Sequence, residues 1–137
     1  MIKRVKIDEN GSLTEIDWKV TRKAALELKT YIDSAPSDER RKYEYQERVV
    51  PLINAVLDGS IKIPHTGDCY DVRYIMDGLY PELLPSFSEL YSKFLCMIWG
   101  SVSSFSLSTH ESGEFIFQKY AEEDEFGNRY ELCWFED

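Results

Sequence analysis

Residues 86–109 read SFSELYSKFLCMIWGSVSSFSLST, and the hydrophobic period changes within them. Up to Gly100 the apolar residues Leu90, Tyr91, Phe94, Leu95 and Ile98 keep to one face of a helix, with spacings of three and four. Ser86 and Glu89 have capping-box spacing, and Gly100 stands where a helix C-terminus takes up positive φ. Beyond Gly100 the period drops to two, because Phe105 and Leu107 alternate with serines. A chain whose helices give way to consecutive strands belongs to the α+β class.

Toward the C-terminus, Tyr130, Leu132 and Trp134 alternate with Glu131 and Cys133, and Glu111-Ser112-Gly113-Glu114 and Asp124-Glu125-Phe126-Gly127-Asn128 carry turn chemistry. This predicts strands at about 102–109, 114–122 and 129–136, arranged as an antiparallel meander. Toward the N-terminus, Val72, Ile75, Met76 and Leu79 predict a helix over roughly 68–78. A longer helix is expected from Ser37, as its cap, to Leu57, bent at Pro51 because proline removes a backbone donor and disfavours helical geometry before it. Ala25, Leu28 and Ile32 mark another from about Val20 to Ser34. Ile2, Val5 and Ile7, then Leu13, Ile16 and Trp18, read as two strands flanking an Asn10-Gly11 hairpin signal. The expectation is a single domain over 1–137: about four helices packed on one face of an antiparallel sheet built from the N-terminal hairpin and the C-terminal meander.

The chain has 137 residues, 43% of them hydrophobic and 14% aromatic, enough for a core without disulfide or metal staples. Three cysteines in apolar surroundings, with no Cys-x-x-Cys pair, predict reduced thiols and no structural zinc. The opening Met-Ile-Lys-Arg-Val-Lys lacks a signal-peptide apolar run, and no apolar stretch approaches membrane-spanning length. A soluble, cytoplasmic protein that does not associate with membranes is expected.

His65, Asp68 and Cys69, with Asp71, place an imidazole, a thiol and two carboxylates within seven residues. A nucleophilic thiol needs a nearby base, so an enzyme is one reading. The alternative is a loop made by Pro64 and Gly67 with Asp68 as a helix cap, and it is preferred because catalytic partners usually converge from distant positions. No phosphate-cradling glycine loop or nucleophile elbow occurs, and no cofactor or metal is called for. Arg40, Arg41 and Lys42 are balanced by Asp38, Glu39, Glu44 and Glu47, which disfavours nucleic-acid binding.

Residues 111–137 hold nine acidic side chains against two basic ones, so most of the net charge of −9 lies there. The same stretch is too aromatic to be a solvating tail. An acidic folded surface attracts basic proteins. The first 30 residues run the other way, with seven Lys or Arg against five acids, and Lys3, Arg4 and Lys6 are read as charges guarding an edge strand.

Tyr120-Ala121-Glu122-Glu123-Asp124-Glu125-Phe126 and Tyr130-Glu131-Leu132-Cys133-Trp134-Phe135-Glu136-Asp137 interleave acids and aromatics in a way that resembles bacterial immunity proteins, the antitoxins of colicin-type and contact-dependent inhibition systems. The resemblance lies in overall character along the chain and in no single motif. It implies a one-to-one complex with a toxin domain, often a basic nuclease, whose active site is occluded; a monomer that is not an enzyme is expected. In that reading Glu122, Glu123, Asp124, Glu125 and Glu131 steer the partner, and Phe126, Tyr130 and Trp134 anchor it. The chain also resembles type III secretion chaperones in size and acidity, but its C-terminus reads as a strand where theirs is a dimer-supporting helix. Mimicry of DNA phosphates is a further alternative.

Overall fold

A computed structural model of the chain describes residues 1–65, 84–106 and 124–136. It is of mixed α+β class, with two antiparallel strands and six helices among the described residues. Two compact units are interleaved along the chain: Met1–Val20 with Ile63–Thr66 and Cys96–Asp137, and Thr21–Lys62 with Gly67–Leu95.

In the first unit, β1 (Ile2–Ile7) pairs antiparallel with β2 (Arg129–Trp134), from Ile2 opposite Trp134 to Ile7 opposite Arg129. Val5, Ile7, Leu13, Ile16, Phe105, Cys133 and Phe135 are buried in this unit. The expected second N-terminal strand reduces to a single bridge between Ile7 and Leu13. Thr14 gives both its N–H and its hydroxyl to the Lys6 carbonyl (3.0 and 2.9 Å), and the chain then leaves the sheet. Trp18, expected on that strand, is instead the first residue of α1 (Trp18–Ser34). The cause is Asp17, whose Oδ1 accepts the backbone N–H groups of Lys19 and Val20 (3.0 and 3.4 Å) as an N-cap. Asp17 is only 3% exposed, and its Oδ2 accepts the Glu136 N–H at 2.7 Å.

The long helix expected over 37–57 is three short ones: α2 (Ser37–Lys42), α3 (Tyr45–Arg48) and α4 (Val50–Leu57). Glu44 breaks the first junction by adopting the left-handed region (φ 52°). Pro51 lies in the first turn of α4, where a missing N–H costs nothing, so a new helix starts there in place of a bend. Pro36 occupies the cap position of α2 and provides no side-chain bond; Ser37, the expected cap, is its first residue, and its Oγ accepts from Arg40 Nη2 at 3.3 Å. These helices, with Ala25, Leu28 and Ile32 of α1, build the second unit around stacked rings: Tyr45 on Phe87 at 4.6 Å and Phe87 on Tyr91 at 5.1 Å between centroids. The phenols of Tyr31 and Tyr45 both donate to Glu39 Oε2 (3.0 and 3.2 Å).

Helix α5 (Pro85–Ile98) forms where the sequence predicts it, but it begins at Pro85, so Ser86, the expected cap, lies inside its first turn. It ends in a Schellman turn, with Gly100 N–H on the Met97 carbonyl, Ser101 N–H on the Cys96 carbonyl and Gly100 at φ +69°. The strand expected from 102 is not formed at its start. Val102–Phe105 is a single helical turn, α6, and among the described residues of that stretch only Ser106 bridges to Cys133. Turning immediately after the Schellman motif buries Phe105 and brings Ser106 beside Cys133. The remainder of that strand, the strand at 114–122 and the helix at 68–78 lie outside the described residues.

Gly100 is held for two reasons at once. Its carbonyl accepts the Leu13 N–H at 2.7 Å, and a Cβ on it would lie 2.7 Å from the Leu13 carbonyl oxygen. Gly127 also has positive φ (+80°) but would meet nothing within 4 Å. By chemical denaturation Gly127→Ala should therefore cost only the left-handed penalty, roughly 1–2 kcal/mol, and Gly100→Ala at least about 3 kcal/mol.

Burial, and secondarily the Glu39 carboxylate, pushes the Tyr31 phenol up from 10.0 to about 12. The neutral phenol is the form the fold favours. Its contribution to stability is complete below pH 10 and is lost as pH rises toward 12. An ultraviolet titration should show Tyr31 ionising late, and Glu39→Gln should restore only part of the difference, because burial is the larger cause.

Candidate functional site

Strand pairing sorts the ribbon residues onto two faces. Side chains alternate, and paired residues share a side, so Ile2, Arg4 and Lys6 lie with Tyr130, Leu132 and Trp134 on one face. Lys3, Val5 and Ile7 lie with Arg129, Glu131 and Cys133 on the other. On the first, outer face Ile2 is half exposed, Arg4 and Lys6 are exposed, and the three β2 residues are half-buried. The Arg4 guanidinium lies over the Tyr130 ring, 4.0 Å from its centroid.

The other face turns inward. Cys133 is fully buried, and burial, with the Glu131 and Glu15 carboxylates, pushes its thiol up to about 12. Glu131 Oε1 accepts from the Ser106 hydroxyl at 3.0 Å. Lys3 reaches Glu15 at 2.9 Å and lies over the Phe135 ring.

Two turns of identical design close one end of the ribbon. In Asp8–Ser12, Asp8 Oδ1 accepts the N–H groups of Asn10 and Ser12, the Asp8 carbonyl accepts from Gly11, and the Asp8 N–H reaches the Ser12 carbonyl. Asp124–Asn128 repeats every one of these bonds with Phe126, Gly127 and Asn128 in the equivalent places. Both are Asp-Glu-x-Gly sequences, and Gly11, not the two-residue Asn10-Gly11 turn expected from sequence, takes the positive φ. An open groove of about 570 Å³ lies against both turns, lined by Lys6, Asp8, Glu9 and Arg129 among others.

The anchors and the acids expected from sequence are thus separated. Tyr130 and Trp134 share the outer face, while Glu131, adjacent to Tyr130, points away from it. Asp124 is committed to its own turn: beyond the two backbone bonds, its Oδ2 accepts from Asn128 Nδ2 and the Tyr130 hydroxyl (3.0 and 3.3 Å). Glu125 and Phe126 are exposed at the turn tip, Phe126 at 80%. Glu122 and Glu123 lie outside the described residues. The face that carries Tyr130 and Trp134 is therefore cationic, through Arg4 and Lys6. Sequence reading set Lys3, Arg4 and Lys6 together on the exposed side of an edge strand; pairing across the whole chain instead puts Lys3 on the other face and joins Arg4, Lys6 and Ile2 to the aromatic residues.

His65 follows a cis Ile63–Pro64 peptide and donates its backbone N–H to the Ile98 carbonyl at 2.8 Å. Asp68 and Cys69, its proposed partners, lie outside the described residues. Among the described residues no group of three or more His, Cys, Asp or Glu side chains could hold a metal ion, and no helix is long and apolar enough to cross a membrane. No family model, curated protein or solved structure matches the chain.

Hydrogen bonds from Asn128, first from its side chain and then from its backbone, hold the Asp124 carboxyl below its ordinary value of 3.8. A lowered value means that the turn is favoured above the ordinary carboxylate range and is lost as pH falls through the lowered one. The Asn128 amide should accordingly keep its hydrogen-exchange protection below pH 4, and Asp124→Ala should abolish that protection at every pH.

Proposed function

We propose that the chain is a protein-binding inhibitor of the immunity-protein kind, and that the outer face of the β1–β2 ribbon is its docking surface. The observation that carries this reading is the grouping of Tyr130, Leu132, Trp134, Ile2 and Arg4 on one accessible face, with Tyr130 fixed by Arg4 above it and by its hydroxyl bond to Asp124. Trp, Tyr and Arg are the side chains that dominate binding energy in protein interfaces, and rings already held in place lose little freedom on docking. Glu9, Glu125 and Phe126 at the two turns form a rim. With a net charge of −9, the molecule as a whole attracts a cationic partner, such as a basic toxin domain, even though the docking face itself is locally basic. In this reading the helices are scaffold, and the protein acts as a cytoplasmic monomer that occludes its partner and catalyses nothing.

Co-expression with the toxin domain encoded beside it in its native host is the direct test. Neutralisation of toxicity and a one-to-one complex by calorimetry are expected. Tyr130→Ala with Trp134→Ala should weaken that complex by about a thousandfold, measured below the melt of the variant, which should itself fall because both rings are half-buried and Tyr130 also bonds to Asp124. Failure to neutralise, or wild-type affinity in the double variant, would remove the reading.

A further inference from the structure

Among the described residues, one edge of the β1 backbone is open from Ile2 to Arg4. Met1 and Phe135 exchange both backbone bonds, N–H to carbonyl at 2.9 and 2.7 Å, which fixes the alternation along the ribbon. Lys3, Val5 and Ile7 therefore direct their backbone groups toward β2, and Ile2, Arg4 and Lys6 direct theirs the other way. Thr14 closes that edge at Lys6 by bonding to its carbonyl. Among the described residues nothing bonds the N–H or C=O of Ile2 or Arg4, and both residues are exposed. The far edge of β2 is not equivalent, because Ser106 bridges there to Cys133.

We infer that this edge, Ile2 to Arg4, takes up an extended acidic segment of a partner protein as an added antiparallel strand. Two donors and two acceptors on Ile2 and Arg4 define the length, about five residues of extended chain. Charge defines the chemistry. The salt bridges among the described residues leave Arg4 and Lys6 without a carboxylate, whereas Lys3 is matched by Glu15. A residue paired with Arg4 places its side chain on the same face as Arg4 and diagonally near Lys6, so an acid at that position meets both cations. The same cations exclude a second copy of this chain, since pairing two such edges would bring Arg4 and Lys6 against their own kind. The edge guard thereby becomes a selector: it rejects self-association and admits an acidic strand. The added strand shares Arg4 with the outer face, but the inference needs only the free backbone edge and the two cations and does not rest on the outer-face reading of the preceding subsection.

The test uses the full chain, labelled for NMR, and an acetylated, amidated peptide Glu-Thr-Glu-Thr-Val as probe. Bound antiparallel, its valine pairs with Ile2 and its second glutamate with Arg4. The Ile2 and Arg4 amides should slow in hydrogen exchange by about tenfold or more at saturation. N-methylation of the second glutamate and the valine should abolish binding, while N-methylation of the two threonines, whose N–H groups face away, should leave it intact. The double variant Arg4→Glu with Lys6→Glu should lose about tenfold in affinity for the acidic peptide and prefer Lys-Thr-Lys-Thr-Val. The inference is overturned if the acidic peptide leaves these amides unchanged at millimolar concentration. Equal binding by the two N-methylated peptides, or no reversal of preference in the charge-swapped variant, overturns it as well.

Discussion

The first unit depends on one buried carboxylate. Asp17 accepts the first-turn N–H groups of α1 with one oxygen and the Glu136 N–H with the other, so the start of the first long helix and the stretch just after β2 are fixed by a single side chain. A group so nearly buried must have its hydrogen-bonding capacity filled, and what fills it here comes from sequence positions more than a hundred residues apart. Gly100 plays a parallel role for α5. It ends that helix at positive φ, and its lack of a Cβ lets Leu13 approach close enough to bond to its carbonyl. Helix boundaries and long-range closure of the chain are, at both points, the same event.

Elements that declare themselves through local chemistry were readable from sequence. α1, α5 and β1 follow from hydrophobic period, and the end of α5 follows from a glycine at the right offset. What escaped reading was decided by partners far away or by unusual backbone. Nothing in the identity of Glu44 announces a left-handed residue, since glycine or asparagine is the usual occupant, and so three short helices read as one. Phe105 and its flanking serines do alternate, but a strand needs a partner to complete its bonds. Before Ser106 a helical turn that buries the ring wins. Trp18 fitted the period of a strand, and the cap supplied by Asp17 overrode it.

The candidate site was legible in part for a similar reason. Tyr130 and Trp134 lie on one side because strand residues alternate, and the same alternation, applied strictly, separates Glu131 from them. Charge counted along the sequence merged what the pleat divides. The contribution of Arg4 and Lys6 could not be read locally, because it rests on a register joining the two ends of the described chain. The aromatic face thus carries the opposite local charge from the segment in which its aromatics are embedded.

The two Asp-Glu-x-Gly turns separate what makes a loop fold from what a loop displays. Aspartate and glycine supply the bonding and the backbone conformation, while the third position contributes only its N–H to the frame. Asparagine fills that position in one copy and phenylalanine in the other, with the same geometry around both. Such a position is a display slot on a rigid mount: its occupant can be exchanged with little effect on the frame. The solvent-facing ring of Phe126 is then a free choice of the sequence, and a change there would retune what the tip touches while the ribbon beneath it stays as it is.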